Sequence, residues 1–165
     1  MLKLIGAALF ILCGGVLGFS KLAENRRSLE LMRAMDNALG LMAGELELCA
    51  RPLPELFELL AIRGDARVRG FFACLSLTCP EMGAAEAWRR CCGTPEIPER
   101  VREILLSLAA VLGSYDAEHQ CAEIELVRRQ LKAEESRMQT FLSTQWRSWP
   151  ALGACIAGAA AMLLI

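Results

Sequence analysis

Two stretches without a charged side chain, residues 4–20 and 148–165, bracket nearly every charge in this 165-residue chain; Lys3 alone lies outside them. A bilayer core about 30 Å thick takes roughly 17–25 apolar residues in a helix, so both stretches are long enough to span one. Backbone polar groups in lipid are satisfied only by a helix or a closed barrel, and two isolated segments can only be helices. The expected organisation is therefore a transmembrane helix over 1–20, a soluble domain over 21–147 and a second transmembrane helix over 148–165.

Basic residues near span ends favour the cytoplasmic side of a membrane. Lys21, Arg26 and Arg27 follow the first stretch and Arg147 precedes the second, against Lys3 alone on the other flank. This places the middle domain in the cytoplasm and both ends outside. A cleaved secretory signal is the competing reading of residues 1–20, but its basic region would be a single lysine and no A-x-A-type site follows. The second stretch, rich in Ala and Gly, could also be a buried helix. Whether it crosses the bilayer fully is open from sequence.

Cysteine usage agrees with a reducing compartment. Cys13 and Cys155 lie in the apolar ends, and Cys49, Cys74, Cys79, Cys91, Cys92 and Cys121 occur among apolar helical positions without framework spacing. Such residues read as small hydrophobes, not as a disulfide scaffold.

Charge in the middle is nearly balanced. With Lys3 set aside, 17 basic residues face 19 acidic ones, a net of −2. Nucleic-acid partners need a basic surface, and none is present. The pairs Arg26–Arg27, Arg89–Arg90 and Arg128–Arg129 are interleaved with Glu and read as solvated helix faces.

Apolar residues recur with helical period throughout. Leu29, Met32, Met35, Leu39, Met42, Leu46 and Cys49 mark one face of a long helix that continues the first span. Arg51-Pro52-Leu53-Pro54 ends it, because a residue preceding proline avoids the helical region, and Pro54 opens a second helix. Gly64-Asp65 precedes a third, carrying Val68, Phe71, Phe72 and Leu75. A fourth is expected to begin at Pro80 with Met82, Ala85, Trp88 and Cys92. After Gly93-Thr94-Pro95, Val101, Ile104, Leu105, Leu108, Val111 and Leu112 define a fifth that Gly113 closes. Asp116 is the expected N-cap of the sixth, which carries Ile124, Val127 and Leu131 towards the second apolar stretch. No run alternates with period two. The predicted fold is all-α, a six-helix cytoplasmic bundle flanked by an N-terminal and a C-terminal transmembrane helix.

Catalytic chemistry is poorly supplied. Cys74-x4-Cys79 with Cys91-Cys92 offers four thiols, but structural zinc favours paired C-x2–4-C spacing, and adjacent residues point about 100° apart on a helix. Packing is the preferred reading of all four. Asp116, His119 and Glu123 share a helix face without a nucleophile nearby in sequence. No phosphate-binding loop or dinucleotide fingerprint occurs. No catalytic, cofactor-binding or metal-binding residue is assigned. Gly14-x3-Gly18 and Gly153-x3-Ala157-x3-Ala161 form small-residue stripes through which spans could pack closely.

Specific segments nevertheless have a familiar order. They are Met1-Leu-Lys-Leu-Ile-Gly6, Arg51-Pro-Leu-Pro54-Glu-Leu-Phe-Glu58, Ala84-x2-Ala87-Trp88, Leu112-Gly-Ser-Tyr-Asp116-x3-Gln120, Leu152-Gly153-x4-Gly158 and Leu163-Leu-Ile165. Over essentially the whole chain this resembles the stage III sporulation protein AB family of endospore-forming bacteria. The resemblance implies a soluble part similar to a cytoplasmic domain of the type II secretion inner-membrane platform protein. It also implies membership of the channel linking mother cell and forespore. The implied partners are a secretion-type ATPase, other stage III channel subunits, the lipid bilayer and a second copy of the chain. The helix 5–6 junction, with Gly113 turning, Asp116 capping and Gln120 bonding back one turn later, reads either as a conformational corner without a partner, the preferred reading, or as a mechanical element. A membrane-anchored enzyme and a membrane adaptor of another secretion or pilus system are the competing functions.

Overall fold

In the computed structural model the backbone is described for residues 2–49, 51–95, 97–113 and 117–164, and side chains for 24–49, 51–95, 97–113 and 118–143. Six helices and no strands occur among these residues: α1 (Leu2–Cys49), α2 (Leu53–Arg63), α3 (Ala66–Met82), α4 (Ala84–Cys92), α5 (Glu99–Leu108) and α6 (Ala117–Leu164). The all-α expectation holds. Two compact units are present: Met1–Asn25 with Ser136–Ile165, and Arg26–Glu135. The first is helical wherever its backbone is described. Among the described residues no helix is long and apolar enough to cross a membrane. The side chains of both charge-free stretches, on which the spanning expectation rests, lie outside the described residues.

The second unit is built around the apolar stripe of α1. Met32, Met35, Leu39 and Met42 are almost fully shielded from solvent, with Leu29 and Leu46 at the ends of the stripe. Each such side chain contributes roughly 1.5–3 kcal/mol when taken from water. Cys49, expected to close this stripe, is instead exposed. It is the last helical residue before the Arg51-Pro52 break, where the chain turns away.

Local chemistry sets the helix ends. Pro52 (φ −59°, ψ 140°) is the extended residue ahead of α2, and Pro54 occupies its first turn, where a missing N–H costs little. Gly64 closes α2 by donating its N–H to the Leu60 carbonyl at 2.8 Å. Asp65 then caps α3, its carboxylate accepting from the Arg67 amide at 2.9 Å.

The third and fourth helices divide at a different place from the one expected. Pro80 lies inside α3, and the break falls at Gly83, with φ 83° and ψ 161°. A proline in the final turn forfeits one backbone bond, and Gly83 restores the ending by donating to the Cys79 carbonyl at 2.9 Å. The break after α3 is made at positive φ, which glycine adopts without steric penalty. The position of Gly83 therefore outweighs that of Pro80. The fifth helix also ends before Leu112, at Leu108. A set of tight turns continues to Gly113 (φ 90°) and keeps Leu112 buried. Asp116 lies outside the described residues, so its expected cap does too.

Four aromatic rings join α2, α3 and α4. Phe71 meets Phe72 and Trp88 edge-on, with centroids 5.3 and 5.1 Å apart, and Phe57 is 6.3 Å from Trp88 and 6.4 Å from Phe72. Edge-on placement sets the positive rim of one ring against the negative face of another. The Trp88 indole N–H donates to the Leu105 carbonyl at 2.7 Å, so the same side chain satisfies its polar atom and ties α4 to α5.

Two outcomes follow for stability. Trp88→Ala removes a fully buried aromatic and its bond to α5, and lowers the free energy of unfolding by about 3–5 kcal/mol, measured by urea denaturation. Asp65 is held below the ordinary carboxylate pKa, chiefly by its bond from the Arg67 amide. Its stabilisation is therefore complete above the unfolded-state value near 3.9 and disappears as pH falls through the lowered folded-state value. Asp65→Ala is expected to be less stable than the parent chain at neutral pH, the difference shrinking in strong acid, as read from unfolding curves at each pH.

Candidate functional site

Within the second unit the residues with the most specific polar geometry join α1 to α6. Asp36 projects from α1 and Arg128 from α6. The Arg128 Nε–H donates to Asp36 Oδ1 at 3.0 Å, and its Nη1 also bonds Glu125, one helical turn away. Lys132 Nζ lies 3.6 Å from the other Asp36 oxygen. Arg33 and Glu135 extend the series at 2.6 Å, and the Cys121 thiol reaches the Ala43 carbonyl at 3.7 Å. As α1 positions rise from 33 to 43, their α6 partners fall from 135 to 121, so the two helices run antiparallel.

Sequence periodicity explains this placement. Asp36 follows Met32 and Met35 at the border of the α1 stripe, while Arg128 follows Val127 on the apolar face of α6. Both flank the seam where the helices meet. Their side chains are 13 and 21% exposed, well below the typical surface pair. Gly40 is part of the same arrangement. A Cβ there would lie 3.0 Å from the Arg128 guanidinium, so the bare backbone leaves the space that the guanidinium approaches. Burial works against the Arg128 charge, but bonds to Glu125 and Asp36 outweigh it and raise its pKa above the ordinary value. The solvated-face reading holds for Arg26, Arg27, Arg89, Arg90 and Arg129, which are exposed; Arg128 departs from it.

A second polar group ties α1 to the start of α3. Arg67 donates from Nη2 and Nε to Glu30 at 2.9 and 3.1 Å, and from Nη1 to Asp65 at 3.2 Å. Beyond it, Leu31 and Met35 of α1, Phe71 and Cys74 of α3, Cys91 of α4 and Ile97 contribute to the wall of a cavity of about 80 Å³. Arg102 of α5 secures the connection after α4 by donating to the Thr94 and Ile97 carbonyls at 3.3 and 3.2 Å.

The thiols considered for zinc do not converge as a foursome. Cys74 and Cys91 come together, and Cys79 and Cys92 are buried in the core. Among the described residues no group of three or more His, Cys, Asp and Glu side chains is placed to hold a metal ion. Burial pushes the Cys92 thiol up to about 12, with a smaller contribution from Cys91, and raises Cys79 as well. His119 is exposed and Glu123 half-buried, while Asp116, the third member of that face, lies outside the described residues. Gln120, one turn into α6, is buried at 6% exposure.

Architecture and polar geometry together define an all-α helical domain whose first and last helices pair antiparallel across a buried apolar seam. The chain belongs to the family described as Stage III sporulation protein AB, whose profile matches residues 3–165. A solved structure titled Stage III sporulation protein AB shares the fold with a TM-score of 0.62 at 21% sequence identity, over 70% of this chain and 96% of that one. No curated protein sequence matches the chain.

The α1–α6 ion pair makes a direct prediction. Asp36→Ala leaves Arg128 partly buried without its interhelix acceptor and costs about 1–3 kcal/mol. Arg128→Ala costs a similar amount. Because the two act through one bond, a double-mutant cycle in urea is expected to return a coupling of about 1 kcal/mol. Additive losses would mean that each side chain stabilises the fold through other neighbours.

Proposed function

We propose that this protein is a non-enzymatic membrane subunit of the secretion-like channel between mother cell and forespore. In this reading residues 1–20 and 148–165 span the mother-cell membrane around the forespore, and the domain over 21–147 is cytoplasmic. The domain couples a secretion-type ATPase to the membrane assembly, together with other stage III subunits and further copies of this chain.

The supporting observation is that each charge-free stretch belongs to the same helix as half of the α1–α6 seam. α1 includes both residues 4–20 and Asp36, and α6 includes both Arg128 and residues 148–164. A displacement imposed on either helix is opposed by the Asp36–Arg128 bond and the packing beside it, so the pair would respond as a unit. Family membership supports a role in sporulation, and the secretion-platform part of the reading rests on the resemblance. The assignment as non-enzymatic rests on the sparse set of catalytic side chains in the sequence.

The deciding experiment is an affinity pull-down of the tagged, detergent-solubilised full chain from sporulating cells, read by mass spectrometry. Recovery of the secretion-type ATPase with other stage III subunits is the expected result. Their absence from cells shown to express them would overturn the coupling role. Recovery of pilus or general secretion components instead would make the chain an adaptor of another system.

A further inference from the structure

We propose that Cys74 and Cys91 form a peroxide-oxidisable dithiol, which oxidation converts into a covalent staple between α3 and α4. The two residues are 17 positions apart in sequence and belong to different helices, yet their sulfurs lie 2.6 Å apart. That separation approaches the S–S bond of about 2.05 Å, so the two sulfurs are within bonding reach of each other. Thr78 buttresses the pair. Its hydroxyl donates to the Cys74 carbonyl at 2.8 Å, while its oxygen stands 3.8 Å from the Cys91 sulfur.

Access separates this pair from the core thiols. Cys74 is half-buried, whereas Cys91 is 1% exposed. Both residues line the cavity of about 80 Å³ beneath α1. A water requires about 10–15 Å³ of such space, so the cavity admits several waters or a molecule of hydrogen peroxide. Peroxide is therefore small enough to reach the pair through this space.

The chemistry balances with one peroxide per pair. The Cys74 sulfur, releasing its proton, attacks one peroxide oxygen and the O–O bond breaks. The departing hydroxide takes up the proton Cys74 released, leaving a Cys74 sulfenic acid and one water. The Cys91 sulfur then attacks the Cys74 sulfur, the S–O bond breaks, and the leaving hydroxide takes the Cys91 proton as a second water. Two thiols lose two electrons and two protons, and peroxide is reduced to two waters. The order follows from access: half-buried Cys74 meets peroxide first, whereas Cys91 is 1% exposed, its thiol pushed up by burial and the neighbouring Cys74, and acts second. In a reducing cytoplasm thiols restore the pair, which makes the staple reversible.

The staple would close a loop containing the Gly83 reversal and fix the α3–α4 wall of the cavity. Its effect therefore falls on the mobility of this hairpin, whatever partner the domain binds.

Peptide mapping tests it directly. The reduced, purified full chain is exposed to hydrogen peroxide, remaining thiols are alkylated in denaturant, and linked peptides are sequenced by tandem mass spectrometry. A Cys74–Cys91 linkage as the main crosslink, removed by dithiothreitol and accompanied by a rise in Tm of about 10 °C, is expected. Cys91→Ser is expected to lose both crosslink and shift, and to leave a Cys74 sulfenic acid that dimedone captures. Full alkylation of both thiols after peroxide, over-oxidation of Cys74 without linkage, or a main crosslink between any other cysteines would overturn the proposal. The parent-chain map decides these outcomes even if the variant does not fold.

Discussion

The antiparallel seam between α1 and α6 brings together segments separated by about a hundred residues, and the intervening helices are confined by where those two ends meet. Closing so long a loop is costly in chain entropy, although the cost grows only slowly with length. The compensation comes from apolar burial: Met32, Met35, Leu39 and Met42 from α1, with Ile124, Val127 and Leu131 from α6, are almost entirely shielded. Between the ends, α2, α3 and α4 pack through Phe57, Phe71, Phe72 and Trp88, and the Trp88–Leu105 bond brings in α5.

Much of this was legible in the sequence because period and chain punctuation are local. The stripe from Leu29 to Leu46, the end of α1 before Pro52, and the buried positions Phe72, Trp88, Leu105, Ile124 and Val127 all follow from apolar spacing and from proline and glycine chemistry. The Pro80 boundary failed for an instructive reason. A proline near a helix end is ambiguous, since it can open a new helix or occupy the last turn of an old one. What distinguishes these outcomes is the positive φ three residues later, at Gly83. Cys49 shows the converse limit, because a periodic position at a helix terminus can outrun the core.

Site features were harder to read because they depend on contacts distant in sequence. Spacing puts Arg128 at the border of the apolar face of α6 and Arg129 away from it, but the acidic partner it reaches, Asp36, lies 92 positions earlier in the chain. Cys74 and Cys91 likewise belong to no spacing pattern for a metal or a disulfide framework. They meet because the Gly83 reversal folds α4 back beside α3, and a local pattern could not set the 17-residue interval. The available clue was compositional, eight cysteines in a chain otherwise short of reactive groups.

Energy and register are supplied by different parts of the seam. Methionine is unbranched and adaptable, and three of the most buried α1 side chains are Met32, Met35 and Met42. Such a surface adapts to shifted neighbours, so burial of these methionines does not by itself fix how α6 lies along α1. A shift of one helical turn, about 5.4 Å, would leave apolar faces in contact but carry Arg128 beyond bonding distance of Asp36 and away from Gly40. The polar pair therefore adds a register preference to the apolar burial, although Lys132, one turn from Arg128 and 3.6 Å from Asp36, could partly replace it after such a shift.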